Sequence, residues 1–264
     1  METSETVRLI AFVSVLLVCS IFEFLFPRKV LTQNKVYRWF NNLGLIAFNS
    51  ITLTIMMPIV AFEAASFAAD LNFGLLHWTS LSWPLWLEMC FGILALDLAI
   101  YTQHVIFHRI PLLWRLHRMH HADQDIDVTT GIRFHPIEIL LSMWIKIVVV
   151  MILGVSPLIV IIFEILLNAS ALFNHSNIYL PKTIDRYLRY LIVTPDMHRV
   201  HHSIIPKETH SNFGFFLSIW DRIFNTYLCQ PSLGHQHVSI GLPIFRSKIE
   251  QRIDKMLSQP FRNK

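Results

Sequence analysis

The residues best suited to chemistry in this chain are histidines, and their spacing sets them apart from ordinary core residues. His104 and His108 stand four apart, His117, His120 and His121 form an H-x-x-H-H triplet, and the same triplet returns as His198, His201 and His202. On a helix, spacings of three or four place two imidazoles from adjacent turns within reach of one ion. Imidazole is a good ligand for several transition metals, and burying one without a partner costs roughly 1–3 kcal/mol. Eight rings in repeated patterns therefore indicate a metal site. On the same helix Asp97 and Tyr101 precede His104 and His108 at i, i+4, i+7 and i+11, one polar stripe in an apolar surround. That stripe leaves two roles open for Asp97 and Tyr101: holding ring N–H groups and fixing tautomers, or a polar pair in a helix stripe with no part in metal binding.

These residues need a scaffold, and composition says which kind. The chain has 264 residues, of which 53% are hydrophobic and 15% charged. With a mean hydropathy of +0.48 it is too apolar for an ordinary soluble domain. It reads as an integral membrane protein. The net charge of +4 is gathered in particular loops, which speaks for membrane topology and against nucleic acid. Cys19, Cys90 and Cys229 show no pairing pattern, so no disulfide framework is implied. No GxGxxG, Walker or GxSxG motif offers a site for a nucleotide, a flavin or a serine nucleophile.

The apolar segments follow in order. Residues 7–26 are long enough to cross about 30 Å of hydrocarbon. Their acidic start and basic end predict a retained anchor and not a signal peptide, with Glu23 snorkelling at its end. A loop carrying Arg28, Lys29, Lys35 and Arg38 leads to a second run over 39–67, and the connection 70–82 then has no Lys or Arg. The positive-inside rule places the four-cation loop in the cytoplasm, so a third span over 83–107 delivers His104 and His108 to the cytoplasmic surface. The tract 137–173 is broken at Gly154-Val155-Ser156-Pro157; its halves fit either two crossings or a re-entrant hairpin. In both cases its ends share one side, as Asn174-His175-Ser176-Asn177 and the second triplet require. The aromatic-rich stretch holding Phe213, Phe215, Phe216, Trp220 and Phe224 is expected to pack the cap or touch lipid.

In this order and on this hydropathy, HxxxH, HxxHH and HxxHH resemble the fatty acid hydroxylase/sterol desaturase superfamily of membrane non-haem di-iron enzymes. The segments HRIPLLWRLHRMHH, GIRFHPIE, NHSN, TPDMHRVHH, NFG and WDRIFNTY carry the likeness over residues 97–227. Asn225 and Ala122 depart from it, standing where glycine and serine are usual in that superfamily. The resemblance implies one all-α domain over residues 1–264, with about four to five membrane helices and a cytoplasmic helical cap. It implies two Fe(II) ions and O2, held by His104, His108, His117, His120, His121, His175, His198, His201 and His202, with His135 as a further candidate. His77 and His235 fall outside every motif. The activity implied is O2-dependent hydroxylation, or desaturation, of a membrane lipid. Electrons would come from a separate ferredoxin or b-type cytochrome and reductase. Two other readings compete: a histidine-rich metal transporter, which requires polar groups along the bilayer midplane, and a zinc lipid hydrolase, for which no HExxH carboxylate is evident.

Overall fold

The computed structural model describes residues 2–79 and 83–263; the end of the cation-free connection, residues 80–82, lies outside them. Among the described residues the secondary structure is helical, with isolated β-bridges and no strand. In chain order the helices are α1 Glu2–Leu25, α2 Lys35–Met56, α3 Ala61–Asp70, α4 Leu75–Trp78, α5 Leu85–Arg109, α6 Pro111–His121, α7 Pro136–Leu153 and α8 Pro157–His175. A series of short helices follows: α9 Lys182–Leu188, α10 Pro195–His201, α11 Pro206–Thr209, α12 Ile219–Ile223, α13 Gly234–His237 and α14 Ile253–Ser258. Among the described residues, five stretches are long and apolar enough to cross a membrane: Ser4–Leu25, Lys35–Trp78, Leu85–Arg109, Pro136–Leu153 and Pro157–His175. The chain is a multi-pass membrane protein.

The second apolar run is not one helix. Pro58 interrupts it, because proline lacks the N–H that a continuing helix needs and disfavours helical geometry at the residue before it. The chain restarts as α3, whose Ala61, Ala64, Ala65 and Ala68 are buried. Their small side chains let α3 lie close to α7 and α8, where the core gathers Leu96, Val150, Val155, Ile159, Val160 and Phe163.

The tract 137–173 is a hairpin of 18- and 19-residue helices, each about 27–29 Å long at 1.5 Å per residue. Gly154, at φ +66°, makes the turn. A Cβ on Gly74 would come within 2.5 Å of the Gly154 backbone, so the hairpin tip sits directly on the connection after α3. The pair therefore runs the full depth of the bundle. Both open ends lie at the histidine level, where the chain after α1 meets the chain after α8 through Arg28 N–H to Asn177 O and Tyr179 N–H to Phe26 O, each 2.8 Å.

Two sequence expectations are corrected here. Glu23 does not snorkel: it is buried and accepts the N–H groups of Val128 at 2.7 Å and Asn177 at 2.6 Å, joining α1 to the histidine-bearing segments. Arg38 is no free loop cation but one of the most buried side chains, paired with Asp123 and Asp127.

Deeper among the apolar helices, Glu164 of α8 pairs with Arg8 of α1 at 2.5 Å and with Lys146 of α7 at 2.9 Å. Removing the carboxylate leaves two cations facing each other in an apolar surround, a change that costs on the order of 3–5 kcal/mol in buried ion pairs. Glu164→Leu is thus expected to lower the midpoint of thermal unfolding in detergent markedly. An unchanged midpoint would show that this triad does not hold α1 to the hairpin.

Candidate metal centre

The site begins with α5, which carries Asp97, Tyr101, His104 and His108 on its buried face as the stripe predicts. Ile110 is extended because Pro111 follows it, and Pro111 then starts α6 at the first helical position, where no N–H is missed. This sharp corner returns the chain so that His117 Nε2 stands 3.1 Å from His104 Nε2. The polar connection after α6 is folded by buried charge. Arg38 donates to both Asp123 oxygens at 2.8 and 2.7 Å and also to Asp127, which caps the 3-10 turn Val128–Ile132. Burial opposes ionisation of Asp123, but the guanidiniums of Arg38 and Arg133 override it and hold the carboxyl below its ordinary range. Arg133 in turn donates to Met119 O at 3.0 Å, which presses the connection against α6.

Nine imidazoles converge in two adjacent groups: His104, His108, His117, His121 and His201 form one, and His120, His175, His198 and His202 the other. Within each group one nitrogen from every ring lies within 4.8 Å of all the others, and every ring is buried. The groups touch, with the His121 and His202 rings stacked at 4.5 Å.

Hydrogen bonds decide which nitrogen faces inward. Nδ1–H of His104 donates to Phe213 O at 2.7 Å, that of His201 to Ser211 O at 2.7 Å, that of His175 to Ala171 O at 2.7 Å and that of His120 to Arg133 O at 3.2 Å. His117 Nδ1–H donates to the Glu138 carboxylate at 2.6 Å. Each of these rings therefore presents an unprotonated Nε2. The His175 Nε2 lies 3.0 Å from those of both His120 and His198; with His120 the contact is lone pair against lone pair, since both rings donate through Nδ1. Seven ring nitrogens, on His108, His121, His198, His201 and His202, are buried without a hydrogen-bond partner. Burial first, and neighbouring rings second, push His120, His121, His198 and His202 well below the ordinary imidazole range; burial does the same for His201 against its bond to Ser211. Neutral rings with converging lone pairs are a ligand set for cations, and two groups of five and four suit two ions.

Three predicted residues act differently from expectation. His135 stands apart: its Nδ1 accepts Ile137 N–H at 3.2 Å and its Nε2–H donates to Leu257 O at 3.2 Å, so it caps α7 and has no nitrogen left for an ion. Asp97 accepts from Trp220 Nε1 at 2.8 Å and Leu217 N–H at 3.1 Å, and Tyr101 shares a 2.8 Å bond with the Thr226 hydroxyl. Neither holds an imidazole N–H, because by their turn of α5 the stripe has left the histidine level and faces the 213–227 segment instead. They brace that segment, whose Phe213 carbonyl holds His104. His77 and His235 lie outside both groups, as expected.

The residues that sequence reasoning missed are the ones holding the rings. Glu138 closes the GIRFHPIE segment one turn into α7 and carries His117. Asp221 accepts the N–H groups of Phe213 at 2.7 Å and Gly214 at 2.8 Å, fixing the NFG turn. A Cβ on Gly131 would lie 2.5 Å from Ala171 O, the acceptor of His175. Asn225 has φ +56°, a left-handed conformation that glycine adopts freely and asparagine tolerates, which accounts for its standing where glycine is usual.

Comparison with known proteins places this site. The fatty acid hydroxylase family model matches residues 89–226, which is more than half of the chain and contains the nine converging histidines. The chain belongs to the fatty acid hydroxylase family. It is 24% identical to the ornithine lipid hydroxylase of Rhizobium tropici over 266 residues, covering 97% of this chain and 76% of that protein. It is 30% identical to the alkylglycerol monooxygenase of Danio rerio over 182 residues, 66% of this chain and 37% of that one. It is 23% identical to the cholesterol 25-hydroxylase of Rattus norvegicus over 141 residues, 53% and 46% of the two. The chain thus spans less than half the length of the last two relatives. No solved structure gives a significant match.

Residues that orient a metal-binding histidine typically contribute 10- to 100-fold in metal affinity. Glu138→Gln is accordingly expected to weaken metal retention by about tenfold or more, whereas His135→Ala leaves it unchanged. Metal content after dialysis against graded chelator checks both, and equal loss in the two variants would remove Glu138 from this role.

Proposed function

We propose that this chain is an O2-dependent hydroxylase of a membrane lipid that works with two iron ions. The observation that carries the reading is the pair of buried histidine groups with inward-facing Nε2 atoms at the end of apolar spans. The chemistry is oxidoreductase chemistry, in keeping with relatives that are named hydroxylases and monooxygenases. His104, His108, His117, His121 and His201 would hold one ion and His120, His175, His198 and His202 the other. Two irons so held supply reduction of O2 and removal of hydrogen from an unactivated C–H bond, work that no side chain does alone.

The chain's own residues hold the rings and seat the substrate. Carbonyls and Glu138 keep five of the nine rings, His104, His117, His120, His175 and His201, in one tautomer. Phe215, half-buried and 5.2 Å from the His104 ring and 6.2 Å from that of His198, offers an apolar wall beside both groups. A lipid whose chain lies along the helices gains about 0.8 kcal/mol per buried methylene, enough to fix which carbon meets the site without a charged pocket. The substrate is accordingly a lipid with a long apolar part, and its electrons come from a separate ferredoxin or b-type cytochrome with its reductase. Metal transport is disfavoured by the Arg8–Glu164–Lys146 triad, because two cations to one carboxylate repel a metal ion within the spans.

We further place the histidine end in the cytoplasm. Lys182, Arg186 and Lys207 are exposed at that end, while residues 70–79 at the other contain no Lys or Arg.

Comparing membrane lipids of cells with and without the gene, grown in labelled O2, tests the activity. One new labelled hydroxyl on a lipid is expected, lost in a His201→Ala variant; an unchanged lipid profile would overturn the reading. For orientation, Lys207→Cys in a background without the three native cysteines should react with a membrane-impermeant maleimide only after the cells are permeabilised. Labelling of intact cells would invert the topology.

A further inference from the structure

Behind α10, on the side away from the metal-binding rings, lies a second concavity of about 740 Å³, bounded by α9, α10, α12 and α13. Asp196 lines it, two residues before His198 and so about 200° around the helix from it. Nothing in the hydroxylation chemistry uses this cavity. Its charge is unbalanced: Arg28, Lys182, Arg186, Arg189 and Arg222 line it against two acids, Asp185 and Asp196. Both acids are already committed, Asp185 to Arg189 and Asp196 to Arg28. Lys182 and Arg186 are exposed and point no acid-bound charge into the fold. The Arg222 guanidinium lies 4.1 Å over the Tyr227 ring and donates to Arg189 O at 2.7 Å, while its Nε is buried without a hydrogen-bond partner. Two exposed cationic groups, Lys182 and Arg186, are left for an anion.

Depth tells which anion. Arg28 and Tyr179 belong to the walls, and they stand immediately beyond the ends of α1 and α8, bridged at Pro27 and Ile178. Two membrane helices ending together put this cavity at the level of lipid headgroups. The elements that bound it have the matching character: Tyr190 lines the cavity, and Ile184 and Tyr187 of α9, Leu191 just after it and Ile223 of α12 are exposed, Tyr187 at 69% and Leu191 at 67%. Aromatic and apolar side chains around arginines at a span's end are the composition of a membrane interface, with the guanidiniums suited to bidentate contact with phosphate.

We propose that this cavity binds the phosphate of a membrane phospholipid, whose acyl chains lie along the exposed apolar faces of α9 and α12. The site is separate from the metal centre and does not rest on the reaction proposed there. A lipid held in it braces α9 and α12 against α10, and thereby the segment that carries the second histidine triplet.

The full-length protein, delipidated in uncharged detergent, tests this by thermal unfolding with three additives: dihexanoylphosphatidylglycerol, dihexanoylglycerol and inorganic phosphate. A ligand that binds only the folded state raises the midpoint in a saturable way. The phospholipid is expected to do so, dihexanoylglycerol not, and Lys182→Gln/Arg186→Gln to raise the half-saturating phospholipid concentration about tenfold. Both substituted side chains are exposed, so the midpoint without lipid should stay near that of the wild type. Equal responses of variant and wild type, or of the two glycerolipids, would overturn the proposal. Inorganic phosphate saturating the same shift at the same concentration would assign the cavity to a free anion and overturn the lipid. Loss in the variant of binding to an acidic electron-transfer protein, with no phospholipid response in the wild type, would give the surface to a protein instead.

Discussion

An imidazole whose Nδ1–H is held by an acceptor turns its Nε2 the other way in a fixed tautomer, and that constraint organises much of this protein. Five rings are held by such Nδ1–H bonds, and the acceptors come from segments far apart in the chain: Arg133 and Glu138 around the start of α7, Ala171 in α8, and Ser211 and Phe213 in the loop after α11. Each acceptor must itself be held. Asp221 fixes the backbone at Phe213 and Gly214, Gly131 lets the 3-10 turn lie against Ala171, and Arg133 is pinned to Met119. The geometry of the rings is therefore a property of the whole helical assembly.

Buried charge does much of the positioning. Helix α2 turns a polar face inward, with Arg38, Asn41, Asn42 and Asn49 buried while Phe40, Ile51 and Ile55 are exposed. In water that arrangement would be inside out. In lipid the exposed apolar side chains are solvated and the polar ones find partners: Asn42 donates to Thr129 at 3.0 Å and Asn49 to Phe134 O at 2.9 Å. Helix α2 thus clamps the connection between the first triplet and α7, the stretch on which His117 and His120 depend. Removing one partner from such a set leaves a desolvated charge or amide, which is why these contacts constrain more than their number suggests.

The same economy alters how the cations are to be counted. Of the four basic residues after α1, Arg38 is fully internal, Arg28 is bound to Asp196 and the Lys29 ammonium donates to Val238 O at 2.5 Å. Orientation therefore rests more on exposed Lys182, Arg186 and Lys207 than on the loop that first suggested it.

The histidine spacings, the hydropathy and the ordered motifs were enough to read a helical membrane protein of this family and to name the nine rings that converge, because ligand spacing and span length are local properties of the chain. The hairpin's depth was not legible, since 18 residues fit a crossing or a dip equally well until Gly154 is seen against Gly74. Nor was the division of the rings: adjacent residues His120 and His121 go to different groups because they point about 100° apart from one helix, and His201 and His202 do the same at the end of α10. His135 carried a plausible motif yet caps a helix, while Glu138, three residues on, holds a ring. Asp97 and Tyr101 shared a stripe with two ligands and brace a distant loop instead. Sequence gives the periodicity that puts side chains on one face; which carbonyl, carboxylate or ring stands opposite is set by segments up to more than a hundred residues away, and only the folded chain brings them there.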